Sequence, residues 1–148
     1  MDRLLEYSQH HPYLVAGALL AAVIVLIYEL RERQTNFAAI SPQQLVRLGN
    51  QGALLLDVRP LDSFAAGHIN GARRIDSQDI LTAGDSLKKY KEKPVVVYCD
   101  TGSLGASAAR QLAAQGFKQA VNLRGGLTTW RTENLPLVKD GPGKSSKA

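Results

Sequence analysis

Polar and apolar positions divide this chain into one long apolar run and a series of short ones. Residues 12–28 (PYLVAGALLAAVIVLIY) pass seventeen positions without a charge. As a helix rising 1.5 Å per residue, the run reaches about 25 Å, just short of a ~30 Å hydrocarbon core. Leu30 extends it if the Glu29 carboxylate reaches outward, and Tyr13 and Tyr28 stand where interfacial aromatics belong. A helix buried in a soluble core would carry a polar stripe, and this one has none. A signal peptide needs a basic start and a small-residue cleavage site, whereas this start carries Asp2, Arg3 and Glu6 and the run ends in YELRERQ. The pattern predicts a short N-terminal segment (1–11), a transmembrane helix (12–30) and a linker (31–37).

The short runs follow at close intervals. Ser41-Pro42 offers an N-cap with proline in the first helical turn, opening a helix that ends at Gly49 or Asn50. ALLLDV (53–58) and VVVY (95–98) are unbroken strand-length runs, as expected of strands covered on both faces. Ala72–Ile75 and Ala120–Leu123 read as further strands. Pro60–Ala66, Ile80–Lys91, Leu104–Gln115 and Gly126–Glu133 read as helices. The alternation predicts an α/β domain over 38–138, with a mainly parallel central sheet and helices on both faces. From Lys139 the sequence KDGPGKSSKA reads as a disordered tail (139–148).

Charge changes this picture little. The net charge is +5; residues 1–36 sum to −1 and residues 37–148 to +6. Four lysines fall within 88–93 and three in the tail. No recognition motif accompanies them, so no nucleic-acid partner is expected; attraction to anionic lipid or anionic small molecules is the better use of the charge. Arg31 and Arg33 follow the apolar run and only Arg3 precedes it, which predicts a single-pass protein of the cell membrane with its soluble domain in the cytoplasm. One cysteine excludes an intrachain disulfide, a Cys-x-x-Cys redox pair and a multi-cysteine zinc site, and it suits a reducing compartment. No metal or cofactor is expected.

That cysteine, Cys99, stands where a buried strand meets a glycine-rich stretch and a helix start. Unpaired N–H groups of such a loop and first helical turn point at an anion and stabilise thiolate over thiol. Thr101, Gly102, Ser103 and Gly105 suit the loop: the glycines permit close backbone approach and the hydroxyls donate. Cys99 is therefore a candidate nucleophile, and a buried structural cysteine is the plain alternative. A cysteine-type phosphatase needs Cys-x5-Arg, yet the sixth residue after Cys99 is Gly105, and no basic side chain lies in 99–109. The histidine base of a cysteine hydrolase could only be His10, His11 or His68.

Four motifs in order resemble the single-domain rhodaneses, a sulfurtransferase family. They are LLLDVRP (54–60), FAAGHINGARRI (64–75), VVVYCDTGSLGASAA (95–109) and GFKQAVNLRGGLTTW (116–130). The resemblance covers about residues 38–137 and implies a rhodanese-like fold. It implies that Cys99 accepts a sulfane sulfur from a small-molecule or protein donor, thiosulfate or a persulfide, holds it as a persulfide, and yields it to a thiol or other nucleophile. The family's six-residue loop corresponds to Cys99, Asp100, Thr101, Gly102, Ser103 and Leu104, whose amides would cradle the outer sulfur. A membrane-anchored subset of such domains is also known.

Two positions depart from the family. Many relatives carry arginine at the place of Leu104 and a basic residue in place of Asp100. A carboxylate beside the thiol opposes thiolate formation, and the missing cations weaken the case for thiosulfate, a dianion. Asp57 and His68 read as a structural network tying the first strand to the following loop. Arg59 is a candidate anion contact, and Gly125, Gly126 and Trp130 read as packing and turn residues. The alternative to an enzyme is a catalytically idle rhodanese-like binding or scaffold module held at the membrane. The sequence does not set the oligomeric state.

Overall fold

The computed structural model describes residues 11–35 and 38–139. The expectations for residues 1–10 and 140–148, and for 36–37 of the linker, fall outside the described residues. The chain divides into two compact units, Met1–Arg33 and Gln34–Ala148.

Helix α1 (Pro12–Thr35) begins in the first unit and ends two residues past its boundary; it continues five residues beyond the expected span and turns part of the supposed linker into helix. Its stretch Pro12–Leu30 is long and apolar enough to cross a membrane, with a mean hydropathy of 2.3. Large side chains are exposed around it, among them Leu20, Ile24 and Tyr28.

The second unit is a five-stranded parallel sheet in the order β1-β5-β4-β2-β3. Its elements are β1 (Ala39–Ile40), α2 (Pro42–Asn50), β2 (Leu54–Asp57), α3 (Leu61–Ala66), β3 (Arg73–Arg74), α4 (Ala83–Ser86), β4 (Pro94–Tyr98), α5 (Ser103–Ala114), β5 (Gln119–Leu123) and α6 (Gly126–Thr132). Strand β1 was not among the strands that the apolar runs predict. It is two residues long and held by pairing with Asn122 and Leu123 of β5, a tertiary cause that no local pattern announces.

The apolar runs explain the sheet. Leu54–Asp57 and Val95–Tyr98 pair residue for residue, and both are buried throughout. Alternate side chains enter opposite cores. Leu54, Leu56, Val95, Val97 and Cys99 face Ala108, Ala109 and Leu112 of α5. Leu55, Val96, Tyr98 and Leu123 face Leu45 of α2, Phe64 of α3, and Leu127 and Trp130 of α6. Helix α2 begins as read: Ser41 Oγ accepts from the Gln44 amide at 3.3 Å, while Gln44 Oε1 accepts from the Ser41 amide at 2.8 Å.

The expected helix over Ile80–Lys91 is broken into a 3₁₀ turn (Asp79–Thr82), the single-turn α4 and a second 3₁₀ turn (Lys88–Tyr90). Gln115, just past the end of α5, replaces the missing ladder. Its Oε1 accepts from the Gly84 amide at 2.7 Å and its Nε2 donates to the Ile80 carbonyl at 2.6 Å. We expect Gln115→Ala to cost about 1–3 kcal/mol in a urea titration followed by Trp130 fluorescence, because it strips partners from two half-buried backbone groups. Amide exchange should quicken first in residues 79–86; uniform quickening across the domain would contradict this account.

Candidate active site

The central strand β4 delivers Cys99 to the carboxyl edge of the sheet, where open α/β sheets bind ligands. The loop beyond is shorter than the sequence suggests. Only Cys99, Asp100, Thr101 and Gly102 lie between strand and helix; Ser103, Leu104 and Gly105 already form the first turn of α5. Gly102 caps that helix at φ +95°, a left-handed conformation that glycine adopts without strain. Its amide donates to Cys99 Sγ at 3.0 Å. The thiol is free and only 2% exposed, packed against the α5 side of the core.

The peptides at the loop are held from the other face of the sheet. The amide of Leu127 donates to the Cys99 carbonyl at 2.8 Å, and that of Thr128 to the Asp100 carbonyl at 3.0 Å. Thr128 Oγ1 donates to the same Asp100 oxygen at 2.8 Å. A trans peptide sets its N–H opposite its C=O, so these bonds turn the Asp100 and Thr101 amides away from α6. Gly126 permits the approach: at φ +59°, a Cβ there would come within 2.7 Å of the Asp100 carbonyl carbon and closer still to the Cys99 oxygen. Gly126 and Thr128 thus shape the site. The Gly-Gly pair was visible in the sequence, although as a turn; Thr128 carried no signal of its own.

Asp57, Arg59 and Asp100 come together beside the loop. Arg59 Nε lies 3.0 Å from both Asp57 oxygens and Nη2 lies 2.7 Å from Oδ2, and the Arg59 amide also donates to Asp57 at 2.9 Å. Nη2 donates to the Gly67 carbonyl at 2.8 Å, and Nη1 stands 3.4 Å from the Asp100 carboxylate. Burial opposes the Arg59 charge, but the hydrogen bonds and field of Asp57 outweigh it and raise its pKa. The guanidinium, 2% exposed, is turned inward to Asp57 and away from the outward anion contact anticipated for it. Tyr98, fully buried alongside, accepts from the Ile69 amide at 3.2 Å. Burial, then the Asp57 charge, pushes its phenol above the ordinary range, so it stays neutral. His68 stacks on Phe64 with ring centroids 3.9 Å apart, pairs through Nδ1 with the Phe64 carbonyl at 3.0 Å, and bridges through its backbone to Val138. Asp100 and Leu104 are exposed, as are Thr101 and Ser103, whose hydroxyls lie 3.3 Å apart.

Fold and site define an α/β domain whose single thiol sits beneath an amide-lined loop at the end of its central strand. The rhodanese-like domain family matches residues 41–133. The thiosulfate sulfurtransferase GlpE of Ectopseudomonas mendocina (strain ymp) is 40% identical over 100 residues, covering 66% of this chain and 87% of that protein. The protein YibN of Escherichia coli (strain K12) is 30% identical over 141 residues, covering 94% and 99%. The human single-domain sulfurtransferase TSTD1 superposes with a TM-score of 0.57 at 27% identity, over 65% of this chain and 96% of that one. A rhodanese-related protein from Thermoplasma volcanium shares the fold with a TM-score of 0.62 at 24% identity, over 70% and 100%. This chain belongs to the rhodanese-like family as a single-domain member.

Removing one partner of a buried ion pair strands the other. We expect Arg59→Met to cost about 3–5 kcal/mol in urea, and Asp57→Leu combined with Arg59→Met to recover most of that loss; a double variant as unstable as the single one would contradict the pairing. Gly126→Ala should displace the Cys99 and Asp100 carbonyls at a strain cost of roughly 1–3 kcal/mol. An unchanged melting temperature and an unmoved Gly102 amide resonance would refute that close contact.

Proposed function

We propose that this protein is a membrane-tethered sulfurtransferase in which Cys99 accepts a sulfane sulfur, carries it as a persulfide and passes it to a thiol or other nucleophile. The observation that carries the reading is the Gly102 amide donating to Cys99 Sγ at the carboxyl end of the central strand. A thiol kept only for packing needs no such donor, whereas a sulfur anion does. The amides of Ser103, Leu104 and Gly105, in the first turn of α5, have no helical carbonyl to bond and add to the same field. GlpE, a thiosulfate sulfurtransferase by name, supports the reaction class.

The chemistry balances without a cofactor. The Cys99 thiolate attacks the outer sulfur of the donor; a new S–S bond forms and the donor's own S–S bond breaks, its electron pair leaving with sulfite or a thiolate. An acceptor thiolate then attacks the outer sulfur and displaces Cys99 as thiolate. In the proposed roles, Cys99 is the nucleophile, residues 100–105 form the substrate-binding loop, and Asp57 and Arg59 brace its flank, with His68 structural. The tether is α1: its nineteen residues Pro12–Leu30 rise about 28 Å as a helix, near a ~30 Å hydrocarbon core. Arg31 and Arg33 favour a cytoplasmic domain.

One observation favours the idle scaffold instead: Cys99 is 2% exposed within a hydrophobic cluster. Mass spectrometry separates the two. The full chain in detergent, treated with thiosulfate or an organic persulfide, should gain ~32 Da at Cys99, one persulfide sulfur, and Cys99→Ala should gain none. A wild-type protein that stays unmodified by every donor would leave the scaffold. Deleting residues 12–30 should move the chain from the membrane pellet to the supernatant; a deletion variant that still pellets would refute the tether.

A further inference from the structure

The carboxyl edge of the sheet carries its charge in an uneven way. Arg59 is committed to Asp57, Gly67 and Asp100 and is 2% exposed. Arg74 pairs with Asp76, and Arg124 is turned toward β1, its Nη2 3.5 Å from the Ala39 carbonyl. Arg124 keeps its charge at that edge; at the loop itself Asp57, Arg59 and Asp100 sum to one negative charge, and the exposed member is Asp100, with 56% of its side chain in solvent. Leu104, 55% exposed, adds an apolar side chain in the first turn of α5.

We propose that Asp100 and Leu104 set the donor specificity of Cys99, selecting monoanionic organic persulfides, R–S–S⁻, over the thiosulfate dianion. The proposal rests on Cys99 being the sulfur acceptor. Asp100 adjoins Cys99 across one peptide, about 3.8 Å between Cα atoms, so its carboxylate lies within roughly 10 Å of the Cys99 sulfur. At about 10 Å, a second negative charge on thiosulfate meets a penalty of roughly twofold in water-like surroundings and about fifteenfold at an effective dielectric of 20. The apolar Leu104 gives the carbon of R a surface that thiosulfate cannot use. The transfer balances: the Cys99 thiolate bonds to the outer sulfur, the donor's S–S bond breaks, and its electron pair leaves with R–S⁻, giving Cys99–S–S⁻.

The test is the second-order rate constant for sulfur loading of Cys99, read by mass on the full chain in detergent. The donors are thiosulfate and 2-hydroxyethyl persulfide. Asp100→Asn should raise the thiosulfate constant roughly two- to fifteenfold relative to the persulfide constant, and Leu104→Arg should shift the ratio the same way. Added salt should speed thiosulfate loading of the wild type relative to that of Asp100→Asn, because it screens the repulsion. A thiosulfate-to-persulfide ratio that rises in neither variant overturns the specificity role while leaving the sulfurtransferase reading intact. If neither donor modifies Cys99, the parent reading falls and this proposal falls with it.

Discussion

The hydrogen bonds from α6 to the carbonyls of Cys99 and Asp100 are the constraint on which the site depends. Peptide planarity converts them into an orientation for the neighbouring amides. Helix α6 packs on one face of the sheet, and the Cys99 side chain lies on the other. Anchoring the oxygens toward α6 therefore turns the Asp100 and Thr101 N–H groups away from that helix. Gly102 completes the turn with its left-handed backbone, and its amide reaches the sulfur. Gly126 lacks the Cβ that would push the two strand ends apart. The donor to Cys99 is thus a main-chain amide, in a loop held by main-chain contacts.

The buried Asp57–Arg59 pair braces the opposite flank. Such a pair adds little net stability over apolar residues of similar volume, because both charges lose water. Its value here is positional. The guanidinium joins the end of β2 to Gly67 and reaches Asp100, so three segments share one rigid fork. The same engagement holds Arg59 inward, 2% exposed.

Much of this was legible in the sequence. The unbroken runs of β2 and β4, the Ser41-Pro42 cap and the strand–cysteine–glycine order each carry a local cause, and the structure contains those elements. What was illegible depended on contacts across the fold. Strand β1 exists through pairing with β5, and the segment after Asp79 breaks into turns around Gln115, some thirty residues away. Arg59 looked free because the sequence shows a charge without its partner's geometry. Thr128 looked ordinary because its role is set by a carbonyl 28 residues earlier.

Deep burial is compatible with the proposed nucleophilic role of Cys99 because a main-chain amide stands where water would otherwise donate. A sulfur anion shut away from solvent without donors would be strongly disfavoured. With the Gly102 amide at 3.0 Å and the first turn of a twelve-residue helix beside it, the charge meets fixed dipoles that need no reorganisation when it forms. In the proposed reaction the outer sulfur of a persulfide extends toward the loop amides, so the carried state would use main-chain donors. Discrimination among donors then falls, in the same proposal, to the exposed residues of the loop, Asp100 and Leu104, while the Gly102 amide holds the sulfur beneath them.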